Sequence, residues 1–287
     1  MASPGGVVSL TTDFGLSDTY VGQLHAALLQ VDPTLQIVDL SHDIEPGAIE
    51  STLFHTECAW GAFPDGSVHL VIVDPGVGSD RGIVLIQIDG SSEVPRALLV
   101  GPDTGVLSSG LPASMRRSAP FPVGSVRTVA GVSAVEVTES PVRDSTVSST
   151  FHGRDIMAPV AAHAAAGQPL TTLGRPVDSV VVAPRLDAAI TAEGGVGRVV
   201  HVDRFGNAIT NIRSSQAPRR FRLQIKRLTI SGPAMSYLEG SGGRVEQAVA
   251  IGGSCGFLEI ATFGDSAAVQ LGLSVGDTVT IVPDEPR

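Results

Sequence analysis

The spacing of apolar residues changes along the chain. In the first half, short apolar runs alternate with segments whose apolar residues recur at helical spacing, as Val21, Leu24 and Leu28 do. The strand-like runs there are VVSLTT, LQIVDLS, SVHLVIVD, GIVLIQID and RALLVG. The later segment GRDIMAPVAAHAAAG, residues 153–167, predicts an alanine-rich helix that ends at a glycine. This alternation predicts an α/β domain with a largely parallel central sheet.

The second half of the chain predicts strands alone. The runs GRVVHVD, FRLQIKRLTIS, EQAVAIGG, FLEIATF and GDTVTIVP follow one another with glycine-rich turns between them, which is typical of a small antiparallel β-barrel or sandwich. Between the two patterns lies a segment rich in proline and small residues, which we interpret as a linker. We therefore predict an N-terminal α/β domain over 1–170, a linker over 171–194 and a C-terminal β-barrel domain over 195–287.

Composition and charge narrow the class of partner. The chain of 287 residues is 43% hydrophobic and 17% charged, which is enough to bury a core. Its formal net charge of -10 argues against a nucleic-acid partner, because phosphate backbones are bound by basic surfaces. We find no apolar run as long as a membrane span and no signal-like N-terminus, and Cys58 and Cys255 alone make no disulfide framework. We expect a cytoplasmic protein that binds neither nucleic acid nor membrane.

Acidic residues follow the predicted strands at corresponding positions. Asp13, Asp43, Asp74 and Asp103 each come just after a strand-like run, and His152 lies at the start of the alanine-rich helix. Any one of these aspartates fits an ordinary turn or helix cap. In open α/β sheets, however, ligands bind outside the carboxyl ends of the strands. Together, the five residues indicate a ligand site at this edge.

The segment VDPGVGSDRGIVLIQID places Asp74 and Arg81 seven positions apart around a glycine-rich turn. Its Gly-x-Gly enters a strand rather than a helix, so the dinucleotide-binding fingerprint is not met. The DFG tripeptide occurs without the other kinase motifs, and there is no Gly-Lys-Ser/Thr phosphate loop. A metal site built from the acidic residues and His152 stays open, with His42 as the only other histidine directly after a strand.

Five longer motifs carry a resemblance to a known family. In the order TTDFGLSDTYVG, VDPGVGSDR, GPDTGVLS, TFHGRDIMAP and RFGNAITNI, they resemble the adenosine-forming S-adenosyl-L-methionine (SAM) hydrolases. These enzymes are also called SAM hydroxide adenosyltransferases and are relatives of the SAM-dependent fluorinase and chlorinase. The resemblance covers almost the whole chain. It implies an N-terminal α/β domain, a C-terminal β-barrel, no cofactor, and a homotrimer with active sites between subunits.

The resemblance also implies a catalytic Asp–Arg–His set, which falls on Asp74, Arg81 and His152. The sulfonium of SAM makes methionine a good leaving group, so the reaction lacks a nucleophile rather than an acid. Arg81 stays protonated and stabilises hydroxide-like charge. His152 titrates near neutrality and takes or relays the proton of the water. Two roles stay open for Asp74, which either orients the set or accepts from the ribose.

Substrate contacts are implied in both domains. Asp13 is expected to accept from two adjacent ribose hydroxyls, and Asn207 to recognise adenine through its paired donor and acceptor. Asp203 is expected to meet the methionine ammonium. Ser254 and Glu259 are expected to contact the amino-acid end of the substrate or its adenine.

Hydrolysis of SAM to adenosine and L-methionine, by in-line attack of water on the 5′ carbon, is the function that these residues favour. The alternatives are a SAM-dependent halogenase of the same superfamily, a metal-dependent phosphohydrolase, and a sensor that binds SAM or adenosine without reacting. Within the superfamily, the Asp–Arg–His set belongs to the hydrolytic branch and is lacking in the halogenases. Its presence here therefore favours hydrolysis over halogenation.

Overall fold

Contacts within the chain divide it into two units, Met1–Arg185 and Leu186–Arg287. The structure, a computed structural model, describes residues 6–90, 95–116, 122–137, 147–240 and 247–284. Each unit is built on its own main sheet. The predicted combination of an α/β domain with a C-terminal antiparallel barrel is confirmed.

The N-terminal unit alternates strands and helices, as its apolar pattern predicts. Its strands are β1 (Val7–Thr12), β2 (Gln36–Ser41), β3 (Ser67–Ile72), β4 (Ile83–Ile88), β5 (Ala97–Pro102), β6 (Gly124–Arg127), β7 (Val132–Glu136), β8 (Arg175–Val177) and β9 (Ser179–Val182). Its α-helices are α1 (Tyr20–Val31), α2 (Ile49–Ala59), α3 (Ala158–Ala165) and α4 (Leu170–Leu173), with a π-helical turn, Gly153–Met157, leading into α3. Across the described parts of the chain, no helix combines the length and the apolar character needed to span a membrane.

Seven of these strands form one sheet in the order β2-β1-β3-β5-β4-β7-β8. The first four strands in this order, β2, β1, β3 and β5, run parallel to one another, whereas β4, β7 and β8 each run antiparallel to the strand before them. Because β5 lies between β3 and β4, the segment that joins these two strands is not a hairpin loop. It crosses the end of the sheet instead.

The strand order creates a crevice at the carboxyl ends of β1 and β3. The chain leaves β1 for β2 on one side and then returns to β3 on the other side of β1. Open α/β sheets bind ligands at such a reversal. Asp13 directly follows β1, and Asp74 follows β3 after a single residue. The topology therefore places both carboxylates at the mouth of the crevice.

Two apolar layers cover the faces of this sheet. On one face, β1 and β3 pack against α1 and α3, and the predicted helical spacing of α1 is confirmed by its buried residues. The residues at the centre of this layer are Val8, Leu10, Leu24, Leu28, Leu70 and Ile72. On the other face, alternate residues of β3 and β4, such as Val71 and Val84, pack in a layer with Trp60.

His69 belongs to the second layer and is a structural residue. Its ring stacks on Trp60 with centroids 4.7 Å apart, and its Nδ1 lies 2.7 Å from Ser9 Oγ. Burial lowers the pKa of His69 to about 4. The ring is therefore neutral at physiological pH and plays no part in the crevice.

The C-terminal unit is an antiparallel, barrel-like sheet in the order β14-β13-β17-β11-β12-β16-β15, with β10 paired to β11. Its strands are β10 (Ile190–Thr191), β11 (Gly194–Val202), β12 (Ala208–Arg213), β13 (Phe221–Ile225), β14 (Leu228–Gly232), β15 (Ala248–Gly252), β16 (Phe257–Thr262) and β17 (Thr278–Pro283). Two short helices, α5 (Tyr237–Gly240) and α6 (Ala267–Leu271), lie between strands. Alternate residues of β13, Phe221, Leu223 and Ile225, point into the core.

The segment predicted as a linker, residues 171–194, contains regular structure. Within it, β8 pairs with β7 and β9 pairs with β6, so both strands extend the first unit. β10 pairs with β11 in the second unit. The contact boundary falls between Arg185 and Leu186.

Candidate active site

Asp74 and Arg81 form a forked ion pair where β3 ends. Arg81 Nε donates to Asp74 Oδ1 at 3.0 Å and to Oδ2 at 2.9 Å, and Arg81 Nη2 also pairs with Oδ2. The backbone N–H of Gly76 donates to Oδ1 at 3.1 Å. The Arg81 and Asp74 side chains are only 10% and 6% exposed, so these charge-assisted bonds are shielded from water.

The turn between these two residues depends on glycine at two positions. A Cβ built on Gly76 would lie 3.1 Å from Arg81 Cγ, so glycine lets the backbone pass under the arginine side chain. Gly78 has a φ of +80°, which side-chain-bearing residues rarely adopt. Ser79 Oγ donates to the Gly76 carbonyl at 2.7 Å and closes the turn. The glycines therefore serve the geometry of the ion pair.

His152 joins the pair through Arg81. Arg81 Nη2 lies 3.1 Å from His152 Nδ1. Because a guanidinium only donates, Nδ1 accepts this bond, and the neutral ring carries its hydrogen on Nε2. Burial lowers the pKa of His152 and the charge of Arg81 lowers it further, while Asp74 and Asp155 oppose both effects. The net direction is downward, so the ring is neutral at physiological pH.

The approach of His152 to β3 rests on the glycine that follows it. His152 directly precedes the π-helical turn, a type of segment that is frequent at functional sites. A Cβ built on Gly153 would lie 2.9 Å from Ile72 Cγ2, at the end of β3. Real Cβ atoms do not come this close to a carbon atom, so a larger residue would push His152 away from the Asp74–Arg81 turn.

Asp13 faces the same crevice from the end of β1. Its Oδ2 accepts from the Gly47 N–H at 2.9 Å, and a Cβ built on Gly47 would lie 3.3 Å from Pro75 Cβ. The loop that holds Asp13 therefore packs against the neighbour of Asp74. Burial raises the pKa of Asp13, and the negative charge of Asp74 adds to this effect. The structure thus brings Asp13 together with the Asp–Arg–His set.

The other two strand-end aspartates have no contact with Asp74, Arg81 or His152 among the side-chain hydrogen bonds described above. Asp43 is exposed. Asp103 accepts from the Val181 N–H at 2.7 Å, and burial raises the pKa of its carboxyl. Asp103 therefore anchors β9 beside the end of β5 rather than facing a ligand.

The atoms that a metal ion would need are engaged by Arg81. The guanidinium contacts both oxygens of Asp74 and the Nδ1 atom of His152. Over the ranges that the structure describes, no three His, Cys, Asp or Glu side chains cluster in a way that could hold a metal ion. His42, the other candidate ligand, is buried and hydrogen-bonded to Thr12.

In the C-terminal unit, Asp203 and Asn207 form a tight loop. Asp203 Oδ1 accepts from the backbone N–H groups of Phe205 and Asn207 at 2.9 and 2.8 Å, and Oδ2 accepts from Asn207 Nδ2 at 3.0 Å. Gly206 has a φ of +82° and completes the turn. Asp203 therefore fixes the orientation of the Asn207 amide, whose Oδ1 points away from this bond.

Glu259 and Ser254 lie on the same sheet in different settings. Glu259 is 6% exposed on β16 and accepts from Tyr237 Oη at 2.5 Å. This hydrogen bond raises the pKa of Tyr237 to about 12. Ser254 is exposed at the turn between β15 and β16.

A cavity of about 580 Å³ in the C-terminal unit is lined by one predicted site residue, Asn207, and by Tyr237, the partner of Glu259. Its lining includes Asn207 and Tyr237 together with Phe205, Thr262, Phe263 and Ser266. Sequence analysis missed the aromatic residues of this cavity. The signal in the sequence was Phe205 within the motif RFGNAITNI. In the structure this phenylalanine is 78% exposed, so it has no role in the core of its own unit.

Two family models match the chain, one in each unit. The SAM hydroxide adenosyltransferase N-terminal domain matches residues 8–174, and the C-terminal domain of the same family matches residues 197–280. The first match includes Asp13, Asp74, Arg81 and His152, and the second includes the Asp203–Asn207 loop.

Individual relatives point in the same direction. The chain is 34% identical to an (R)-S-adenosyl-L-methionine hydrolase from Salinispora tropica, over 97% of this chain and 98% of that one. It is 26% identical to a fluorinase from Nocardia brasiliensis over 96% of each chain. Among solved structures, an uncharacterized conserved protein from Thermotoga maritima superposes with a TM-score of 0.79 at 29% identity, over 96% of this chain and 99% of that one.

The hydrogen bond between Arg81 and His152 predicts how two substitutions shift the pKa of His152. Arg81→Met is expected to raise it, because the variant lacks both the neighbouring cation and the N–H that occupies Nδ1. Asp155→Asn is expected to lower it, because the Asp155 carboxylate favours the imidazolium. An NMR pH titration of the His152 ring measures both shifts. Identical titration of wild type and Arg81→Met would contradict the arrangement.

Proposed function

The chain belongs to the SAM hydroxide adenosyltransferase family, and on this premise we propose that it hydrolyses SAM to adenosine and L-methionine. The observation that carries the proposal is the contact of Arg81 with both Asp74 and His152 in the crevice. This arrangement combines a fixed positive donor with a neutral proton acceptor. These are the two groups required to turn a water molecule into a nucleophile.

The reaction depends on its nucleophile. Water attacks the 5′ carbon in line with the sulfonium, so the new O–C bond forms as the C–S bond breaks. The electron pair of that bond returns to sulfur, and methionine leaves as a neutral thioether without needing a proton. Holding the water in line contributes about 7 kcal/mol in favourable cases.

The proton of the attacking water passes to His152 Nδ1 in this proposal. Nδ1 accepts from Arg81 Nη2 at 3.1 Å. As hydroxide character develops, Arg81 donates to that oxygen instead, and the Nδ1 lone pair becomes free to take the proton. Both oxygens of Asp74 contact Arg81, and one also accepts from Gly76, which supports an orienting role for Asp74 over ribose binding.

Substrate binding draws on the remaining predicted residues. Asp13 accepts from the ribose hydroxyls, with its carboxylate oriented by Gly47. Asn207 presents Oδ1, which points away from its bond to Asp203, to the amino group of adenine, and Phe205 supplies an aromatic surface for the base. A residual lone pair of Asp203 receives the methionine ammonium. The predicted contacts of Ser254 and Glu259, to the amino-acid end or to adenine, complete the proposal.

Halogenation is the second candidate function, because a fluorinase is among the relatives. A halide nucleophile loses no proton, so it has no use for a neutral histidine beside an arginine. The contact of Arg81 with His152 therefore favours hydrolysis.

Incubation of the purified protein with SAM in ¹⁸O-labelled water is expected to give adenosine and L-methionine only, even in saturating chloride or fluoride. The label should appear on the 5′ carbon of adenosine, with inversion, because attack is in line. Chromatography and mass spectrometry identify the products, and a parallel reaction with a chelator tests for metal dependence.

Each alternative gives a different result in that experiment. A 5′-halo-5′-deoxyadenosine as main product would establish the halogenase, and loss of activity with the chelator would favour a metal-dependent enzyme. Binding of SAM without turnover would indicate a sensor.

His152→Ala is expected to lower kcat at least about tenfold with little change in SAM affinity, because the variant loses the proton acceptor but no substrate contact. For the wild type, kcat/KM should fall as the pH drops through the lowered pKa of His152, since a protonated Nδ1 cannot accept. This pH dependence should be absent in His152→Ala. A separate variant, Arg81→Lys, should also lose turnover, because the lysine ammonium lacks the two-pronged geometry with which the guanidinium binds Asp74.

His163→Ala is a matched control, because His163 lies on α3 and pairs with Gln168. Near-normal turnover of His152→Ala would remove this histidine from the mechanism.

The same proposal includes a cytoplasmic homotrimer. Candidate ligand residues lie in both units, Asp13 in the first and Asn207 in the second. We propose that each active site combines the crevice of one subunit with the Asp203–Asn207 loop of a neighbour.

Mixing two inactive variants tests this assembly. Asp74→Asn removes the catalytic set and Asn207→Ala removes the adenine contact, so a mixed trimer contains some sites in which both are intact. Part of the activity should therefore return when the variants exchange subunits, as followed by native mass spectrometry. Continued inactivity in proven mixed trimers would mean that each chain builds its own site, and a monomeric mass would refute the trimer itself.

A further inference from the structure

A buried histidine connects the two loops that hold Asp13. His42 follows β2 directly and is 5% exposed, and its Nδ1 lies 2.9 Å from the Oγ1 of Thr12, the last residue of β1. Asp13 is the next residue. His42 is therefore one hydrogen bond and one peptide unit away from the carboxylate proposed to bind ribose.

The direction of this hydrogen bond follows from the other side of the ring. His42 Nε2 lies 3.0 Å from Asp39 Oδ1, an ion-pair distance without hydrogen-bond alignment. A nitrogen lone pair facing a carboxylate at this distance would be repelled, so Nε2 carries the hydrogen. In the neutral ring Nδ1 is then the acceptor, and the hydroxyl of Thr12 donates to it.

This bond fixes the remaining contacts of Thr12. With its hydrogen directed at His42, Thr12 Oγ1 accepts from the Phe14 N–H at 3.3 Å. The backbone of His42 takes part as well, because its carbonyl accepts from the Gly15 N–H at 2.7 Å. The residues on both sides of Asp13 are therefore tied to His42.

The carboxylate of Asp13 is tied to the same loop. Its Oδ2 accepts from the N–H of Gly47, five residues after His42. Movement of the loop after β2 would thus displace both the backbone and the side chain of Asp13. The other neighbour of the His42 ring, Asp39, lies at the protein surface rather than in the crevice. Its side chain is 44% exposed and also pairs with His25.

We infer that His42 is a positioning residue for ribose recognition, which acts through Thr12 and the neighbouring backbone to orient Asp13. The inference rests on the proposed function, since it assigns ribose binding to Asp13. It adds a role for a histidine that contacts neither the catalytic set nor the predicted substrate groups. We expect His42 to affect the affinity for the nucleoside and to leave the rate of the chemical step largely unchanged.

Adenosine binding by the full-length protein, measured by calorimetry, tests the inference without requiring turnover. His42→Leu and Thr12→Val remove the bond from its two ends and are each expected to weaken adenosine binding about tenfold. His42→Asn should restore most of the affinity, because the amide oxygen can take the place of Nδ1 and accept from Thr12. In turnover assays, the same variants should raise KM for SAM more than they lower kcat.

A double-mutant cycle separates positioning from general stability. If His42 acts through Asp13, adding His42→Leu to Asp13→Ala should change affinity less than about twofold, because the oriented carboxylate is already gone. His163→Leu serves as the control, since this half-buried histidine lies on α3, outside the network. It should bind adenosine as the wild type does.

The outcomes are distinct. Wild-type affinity in His42→Leu and Thr12→Val, or full additivity with Asp13→Ala, would overturn the inference and leave the proposed function intact. Failure of the wild-type protein to bind either adenosine or SAM would overturn the proposed function and the inference with it. If His42→Leu does not fold, Thr12→Val and His42→Asn still give the comparison, because the first keeps the shape of the side chain without its hydroxyl and the second keeps an acceptor for Thr12.

Discussion

The guanidinium of Arg81 holds together groups from distant parts of the chain. It pairs with both oxygens of Asp74, and it donates to a histidine 71 positions later, His152. Because the ion pair is almost fully shielded, loss of Arg81 would leave a buried carboxylate without a counter-charge, which typically costs about 3–5 kcal/mol. In the intact site, the same shielding strengthens the hydrogen bonds of Arg81 to Asp74 and His152. The close approaches at Gly76 and Gly153 are needed because this one cation must reach both partners.

The gathering of Asp13 and Asp74 could be predicted from the sequence, because alternating strand and helix patterns imply a parallel sheet whose carboxyl ends meet at one edge. The same pattern also selected Asp103, whose carboxylate is used to bind a backbone N–H of β9. Spacing along the chain cannot separate these two outcomes, since both produce an aspartate after a strand. The start of the alanine-rich helix placed His152 at this edge as well, but only the motif resemblance joined it to Asp74 and Arg81. Its proximity to Arg81 depends on the packing of Gly153 against Ile72, which no local pattern records.

Composition was a weaker guide than periodicity in the middle of the chain. The proline-rich segment contains β8, which includes Pro176 and forms the edge of the seven-stranded sheet. Proline has no backbone N–H to donate. An edge strand tolerates it, because on the outward side of that strand no neighbouring strand would accept from an N–H. Linker and edge strand therefore share one composition. The aromatic residues of the C-terminal cavity escaped prediction for a related reason: Phe205 lies in a turn, where neither strand nor helix periodicity applies.

The charges of the crevice match the proposed reaction on both sides of the chemical step. Asp13 and Asp74 contribute two carboxylates, Arg81 contributes one cation, and the lowered pKa of His152 keeps its ring neutral, so one negative charge remains. Burial raises the pKa of Asp13, and a bound sulfonium would lower it again, so the cationic substrate and the ionised carboxylate favour each other. When the C–S bond breaks, the positive charge leaves sulfur as a proton reaches His152. The crevice therefore keeps its cation throughout, whereas a halide would bring a further negative charge to a site that already carries one.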